Sequence, residues 1–332
     1  MIWKRIELHN HSLESDGCLT VPELVTYLCQ RGIRNFSLTD HNTISGWCFL
    51  PAACAMQPEN MEYLQGLELT TYYGHMLCQN ISSYIPWDDL DETDADKLLQ
   101  RAHEAGGLAG PAHPFSIPAP FSNGMRWTMR VRDPHLLDFI ELINRAHPFY
   151  PDNAAAIDWW RSLVLEGCRI APVSGLDLHG PFEGPVSYTT YLGLWPKEER
   201  LPLSAQFDRA IRACRSCVTA GPILDWQESS SGFEVFLLET PAALNPGAEA
   251  SPFQPKNMVC QLSVQGKQLV KMLEGGRAFF PFSELPAGVH AAVFLLYEIA
   301  DTAKRSGTEI LSAKNVQRLI AAARPWFDRQ TS

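Results

Sequence analysis

Near its N-terminus the chain reads IELHNHSLESDG, which sets His9 and His11 two residues apart and places Asp16 in a glycine-bearing loop. Residues two apart on a strand project from the same face, so two imidazoles would stand side by side. A metal ion uses that arrangement, whereas two buried histidines without a partner only cost free energy. The pattern recurs. LTDHN offers Asp40 and His41, GLEL offers Glu68, GHML offers His75 and AHPF offers His113. SGLDLHG then supplies Asp177 and His179, again two apart. Each residue alone has an ordinary reading. A single histidine at a strand end is commonly a hydrogen-bonded structural group, Asp-Gly is a turn, Glu68 could lie on the surface, and Asp40 could cap the following helix. Two spaced pairs plus His and acid residues at successive strand ends together point to a site for more than one metal ion. Of the other histidines, His103 and His290 fit solvated or structural positions.

Such residues need a scaffold that brings strand ends together. RIELHNH alternates, with Ile6 and Leu8 on one side and Glu7, His9 and His11 on the other. TVPELVTYLCQRG predicts a helix: Thr20 and Glu23 make a capping-box pattern, Pro22 suits the first turn and Gly32 ends it. RNFSLTDHN, EYLQGLELT, GHMLCQNIS, GLAGPAHPF, LDFIELIN and RIAPVSGLDLHG predict strands. ETDADKLLQRAHEAGG predicts a helix with Thr93 as its cap, and DNAAAIDWWRSLVLEG one with an apolar face of Ile157, Trp160 and Val164. Strand–helix alternation implies a mainly parallel sheet or barrel, whose chemistry sits at the C-terminal ends of the strands. After SCVTAGPIL the texture changes. FEVFLLE, NMVCQLSVQ and AAVFLLYEI alternate between Pro- and Gly-bearing loops, and SAKNVQRLIAAARPWF predicts a closing helix with Val316, Leu319, Ile320 and Ala323 on one face. The expected division is residues 1–221 and a β-rich region over 222–332 that ends in that helix.

Composition narrows the function. The 332 residues are 45% hydrophobic and 19% charged, ordinary for a folded chain with a sizeable core. A net charge of -10 without a basic stripe argues against binding a nucleic-acid backbone, yet leaves room for a phosphorylated substrate met by metal ions. Nine scattered cysteines fit free thiols in a reducing cytoplasm; Cys214 and Cys217 have C-x-x-C spacing but no second pair. No leader pattern precedes Ile6, and AAVFLLYEIA is too short to span a bilayer. A homo-oligomer is compatible with all of this.

The motifs HNHSLESDG, LTDHNT, GLEL, AHPF and SGLDLHG resemble, in order, those of the PHP (polymerase and histidinol phosphatase) family over about residues 5–180. FIELINR, LVLEG and AIRACRSCVTAGP extend the similarity toward its carbaryl-hydrolase-like CehA/McbA subgroup. The resemblance implies a distorted (β/α)7 TIM-like barrel of α/β class with two or three divalent metal ions (Zn, Mn or Fe) at its mouth. It further implies that His9, His11, Glu68 and Asp177 hold one metal, and that Glu68 bridges to a second completed by His75 and His113. Asp16, His41 and His179 would hold a third. Some relatives have His where Asp16 stands, and Leu176 replaces a usually small residue. Asp40 would orient a ligand histidine.

Metals so placed would lower the pKa of a bridging water and bind phosphoryl oxygens. The expected activity is a metal-dependent phosphoesterase acting on a small phosphorylated substrate by attack of bridging hydroxide. His41 or His179 would serve as the acid for the leaving group. Arg145, just after Glu141 and Asn144, is the leading candidate to meet the phosphate, with Arg126, Arg130 and Arg132 in a long lid-like loop as others. Two rival readings stay open: an ester, carbamate or amide hydrolase on the same metals, and a non-catalytic metal-stabilised binding module.

Overall fold

A computed structural model describes residues 1–117, 125–144, 151–182, 188–239, 257–300, 311 and 316–328. In chain order the first part comprises β1 (Ile2–Ile6), α1 (Val21–Gln30), β2 (Asn35–Leu38), α2 (Leu50–Ala55), β3 (Glu62–Thr71), β4 (Gly74–Gln79), α3 (Ala95–Glu104) and β5 (Leu108–Pro111). It continues with β6 (Phe139–Asn144), α4 (Pro151–Leu165), β7 (Ala171–Gly175), β8 (Thr189–Leu194), α5 (Leu203–Arg212) and β9 (Ser216–Thr219). The capping box forms as expected. The Thr20 hydroxyl accepts from the Glu23 N–H, the Glu23 carboxylate accepts from the Thr20 N–H, and Gly32 at φ 71° ends the turn. Thr93 does not cap α3. Its N–H and hydroxyl go to Asp91, and Asp94 takes the cap position without a side-chain bond.

The strands are arranged around a shared core. Ile6 and Leu8, Leu64, Leu77, Leu108, Phe139, Val173 and Leu192, drawn from seven different strands or their ends, pack in one cluster with Phe207 and Ile211 of α5. The pairing is less parallel than the sequence suggests. β2–β3 and β6–β7 are parallel, but β3–β4, β4–β5, β1–β8 and β8–β9 are antiparallel. The reason is local: only Tyr72 and Tyr73 separate β3 from β4, which suffices for a hairpin and not for a crossover. The ladders run as β2-β3-β4-β5, as β6-β7, and as β1-β8-β9 at one end of a longer sheet. Among the described residues they do not close into one ring, so the architecture is mixed α/β. Where β5 meets β6, the Asp138 carboxylate accepts from the Ala109 N–H at 2.9 Å, a side chain standing in for a ladder bond.

The remaining strands are β10 (Ile223–Glu228), β11 (Gly232–Leu238), β12 (Met258–Val264), β13 (Lys267–Met272), β14 (Arg277–Pro281), β15 (Ala291–Ile299), β16 (Val316–Ala322) and β17 (Trp326–Phe327). β16, β15, β12 and β13 extend the sheet beyond β9, with Ala321 opposite Thr219. The three-stranded sheet β10-β11-β14 contributes Leu224, Trp226, Phe233 and Phe280 to a second core shared with Cys260, Phe294 and Ile320. The expected closing helix is not formed: Val316–Ala322 is a strand. Leu319 to Ala323 are all buried, and β15 and β9 pair with its two edges. A run buried on every side satisfies strand and helix patterns equally, and here the neighbouring strands supply the backbone partners. All nine cysteines are free thiols.

Candidate metal centre

The predicted ligands converge at one end of the strands. His9 and His11 follow β1, His41 follows β2, His113 follows β5, and Asp177 and His179 follow β7. Glu68 lies on β3. His75 lies at the start of β4 and reaches the same place because β4 runs antiparallel to β3. Two of these residues, His113 at φ 27° and Asp177 at φ 50°, sit in the left-handed region that side chains seldom adopt, a strain typical of functional positions.

Glu68 is the hub, fully buried. Its Oε2 lies 3.0 Å from His9 Nε2, 3.1 Å from His11 Nε2 and 3.1 Å from His41 Nδ1. Its Oε1 lies 2.9 Å from His75 Nδ1 and 3.1 Å from His113 Nε2. Asp177 Oδ1 is 3.4 Å from His9 Nε2 and 3.3 Å from His11 Nε2. Asp16 Oδ1 stands 3.2 Å from His179 Nε2 and 3.6 Å from His41 Nε2. Three compact sets result: His9, His11, Glu68 and Asp177; His41, Glu68 and His75; and His11, Asp16, His41 and His179. The first is the set that the resemblance implies. In the other two, His41 joins Glu68 and His75, and His11 joins Asp16 and His179. His113 touches Glu68 but stands outside the compact sets.

The donors suit metal ions. Four rings have one nitrogen held while the other faces a carboxylate, Glu68 for His9 and His113 and Asp16 for His41 and His179. His9 Nδ1 meets Glu141 Oε1 at 2.9 Å, His113 Nδ1 meets the Met125 carbonyl at 3.1 Å, His179 Nδ1 meets the Asp177 carbonyl at 2.9 Å, and His41 Nδ1 meets Thr70 Oγ1 at 2.5 Å. Assigning the ring proton to the held nitrogen leaves a lone pair on each Nε2. Both nitrogens of His11 are buried and lack a directed hydrogen bond, although two carboxylates lie close. A cation among those oxygens and nitrogens would satisfy them all, and a nitrogen–oxygen set without thiolate suits Zn, Mn or Fe.

Charge balance makes the same point. Burial pushes the His9 ring down, but the Glu68, Glu141 and Asp177 carboxylates outweigh it and hold it well above its ordinary value. Burial likewise opposes protonation of His11, yet Asp177 and Glu68 bring it up to about 9. Despite burial, the surrounding histidines hold Glu68 and Asp177 well below the usual carboxylate range. Without metal, protons on His9 and His11 supply the positive charge that the acids require. Metal uptake must displace them. Between neutral pH and about 9, binding should therefore release protons, and affinity should fall as pH falls. Calorimetric titration in buffers of different ionisation enthalpy measures the release; pH-independent affinity from neutral to alkaline pH would contradict it.

Other predicted residues fall differently. Asp40 does not act on a histidine directly. Its carboxylate accepts from the Ser12 N–H at 2.6 Å, the Ser12 hydroxyl at 2.8 Å and the Ser15 hydroxyl at 2.9 Å, which fixes the loop carrying Asp16. A carboxylate next to serines in a tight loop finds those donors before it can reach a ring. Arg145 and residues 118–124 of the long loop lie outside the described residues. Arg126 is exposed, while its neighbours Met125, Trp127 and Thr128 bond across His113, Pro114 and Tyr73.

Glu141 does more than mark the way to Arg145. Besides holding His9, it accepts from the His113 N–H at 2.7 Å and from Asn144 Nδ2 at 3.1 Å, so it ties two candidate ligands together. Its signal was an acid inside the otherwise apolar FIELI run, a group that needs a partner once buried. Gly175 leaves room for this pair: a Cβ there would sit 2.4 Å from Glu141 Oε1 and 2.4 Å from His9 Cβ. Gly175→Ala should destabilise by about 1–3 kcal/mol and weaken metal binding. Thermal melting and a metal titration check this, and wild-type values in both would refute the close packing.

No protein-family model matches the chain. It is 29% identical over 149 residues to a 3',5'-nucleoside bisphosphate phosphatase of Chromobacterium violaceum, a stretch that is 43% of this chain and 47% of that protein. It is 37% identical over 68 residues to a 5'-3' exoribonuclease of Haemophilus influenzae, 20% of this chain and 24% of that one. The chain thus spans less than half the length of these curated relatives. A solved two-domain protein of Bacteroides vulgatus, described as containing a predicted PHP-like metal-dependent phosphoesterase, superposes with a TM-score of 0.50 at 12% identity. That match covers 98% of this chain and 95% of the other. The chain therefore shares its fold with that two-domain protein, and its histidine and carboxylate motifs meet in space.

Proposed function

We propose that this chain is a metal-dependent phosphoesterase of the PHP type that hydrolyses a small phosphorylated substrate. The observation that carries the reading is the buried Glu68 carboxylate, within 3.1 Å of five histidines drawn from four motifs. His9, His11, Glu68 and Asp177 would hold one divalent metal, His75 and His113 with Glu68 a second, and Asp16, His41 and His179 a third. When bound, such metals acidify a water and neutralise phosphoryl charge. The protein's own part is positional. Glu141 and the Met125 carbonyl fix the tautomers of His9 and His113, and Asp40 anchors the Asp16 loop. Burial pushes His41 down to about 4, despite Glu68 nearby. It is thus a neutral ring at pH 7, which suits a ligand. Arg145 or Arg126 would meet the phosphate. A distorted barrel over residues 1–221, with residues 222–332 as its β-rich appendage, fits the seven-strand core. Nine free thiols support a reducing, cytoplasmic setting.

The test pairs elemental analysis of the purified protein with two panels, one of phosphomonoesters and nucleoside bisphosphates, one of aryl esters and carbamates. Two or three metal equivalents and turnover of phosphoesters are expected. Full metal with turnover of aryl esters or carbamates alone would shift the reading to the carbaryl-hydrolase-like alternative. Full metal with neither activity would leave the binding module.

A further inference from the structure

The pairing of the first strand changes register just before the site. Glu7 directs both backbone groups toward β2: its N–H donates to Asn35 O at 3.0 Å and its C=O accepts from Ser37 N at 2.8 Å. In a regular strand His9 would face the same neighbour. It does not. His9 O accepts from Leu178 N at 3.1 Å, and His11 N donates to Leu178 O at 2.9 Å. Asn10 takes over the contact with β2, its C=O accepting from Thr39 N at 2.9 Å. A one-residue slip therefore lies between Glu7 and His9, of the kind that re-aims side chains beside active sites. The His9 and Leu176 amides bond to a side chain at this point rather than to a strand. Glu7 Oε1 accepts from both, at 3.1 Å from His9 N and 2.7 Å from Leu176 N. Glu7 is only 1% exposed, so water does not compete for those donors.

We propose that Glu7 is a positioning residue of the metal centre, its carboxylate setting the separation between the strand that carries His9 and His11 and the strand that carries Asp177. The proposal rests on the metal reading above. His9 and His11 come within 3.4 Å and 3.3 Å of Asp177 Oδ1, and Leu176 is the residue that precedes it. Beyond the slip, the bridge between Asn10 and Leu178 is the next link joining the two segments. One oxygen bound to both backbones fixes their spacing where the ladder has let go.

The test is the affinity for Zn ions alone, with folding followed by circular dichroism and melting. Glu7→Gln keeps an oxygen that can accept both amides and should bind within a few-fold of wild type. Glu7→Leu keeps the bulk, loses the acceptor and should weaken the tightest site by about 10–100-fold. Should the leucine variant not fold, Glu7→Asp, one methylene short, carries the same expected loss. A folded Leu or Asp variant that binds like wild type overturns the proposal. So does a Gln variant as weak as the leucine one, since charge rather than geometry would then be at work. A wild type that takes up no metal fails the metal reading itself, and the proposal with it.

Discussion

A Glu68→Gln variant is expected to fold, to hold fewer metal ions than wild type and to lose the proposed phosphoester hydrolysis by roughly a thousandfold, equivalent to about 4 kcal/mol of barrier. No other carboxylate in the cluster touches so many rings. Asp177 meets three and Asp16 approaches three, while Glu68 meets five with two oxygens. The amide preserves shape and removes the charge that two of the compact metal sets share. It also replaces one acceptor oxygen with a donor that points at imidazole nitrogens. The histidines lose the anion that favours their protonation, so the metal-free protein should also take up fewer protons at neutral pH. Metal content by elemental analysis, read beside kcat on the best phosphoester, separates loss of metal from loss of chemistry. Wild-type metal content with wild-type kcat would remove Glu68 from the centre of the mechanism.

A Gly110→Ala variant is expected to lose about 4 kcal/mol of stability, the range reserved for a defect that the fold cannot absorb. A Cβ at Gly110 would sit 1.9 Å from the carbonyl oxygen of Phe139 and 2.8 Å from its carbonyl carbon. Those are backbone atoms of β6, a strand buried along its whole length, and they cannot rotate away as a side-chain tip would. Relief requires β5 and β6 to part. That movement would open the core around Phe139 and draw Glu141 away from His9 and His113, so stability and metal affinity should fall together. Gly106 provides the control. It has φ +82° with nothing within 4 Å of a built Cβ, so Gly106→Ala should cost only about 1–2 kcal/mol of left-handed strain. Denaturant midpoints of the two variants make the comparison, and a Gly110→Ala loss below that of Gly106→Ala would mean that β5 and β6 do not approach so closely.

The candidate ligand residues were legible because their signal is local. His9 and His11, or Asp177 and His179, stand two residues apart, so one short segment carries both members of each pair to the same place. The same holds for the capping box at Thr20 and Glu23, where both partners lie within one turn. The five ordered motifs carried the likeness to PHP proteins for the same reason. Tertiary structure decided whatever depends on a distant backbone. β4 turned back on β3, which is why a histidine at a strand start reaches the site. Val316–Ala322 became a strand because β15 and β9 offered hydrogen-bond partners on both edges, and an apolar run cannot announce that in advance. Asp40 went to Ser12 and Ser15 instead of to a ring. Glu7 and Glu141, acids within apolar strands, acquired their roles only when the fold carried two amides to one and two candidate ligands to the other. Spacing along the chain chooses which side chains can act together; the hydrogen-bond needs of buried groups, met only across strands, choose which ones hold them in place.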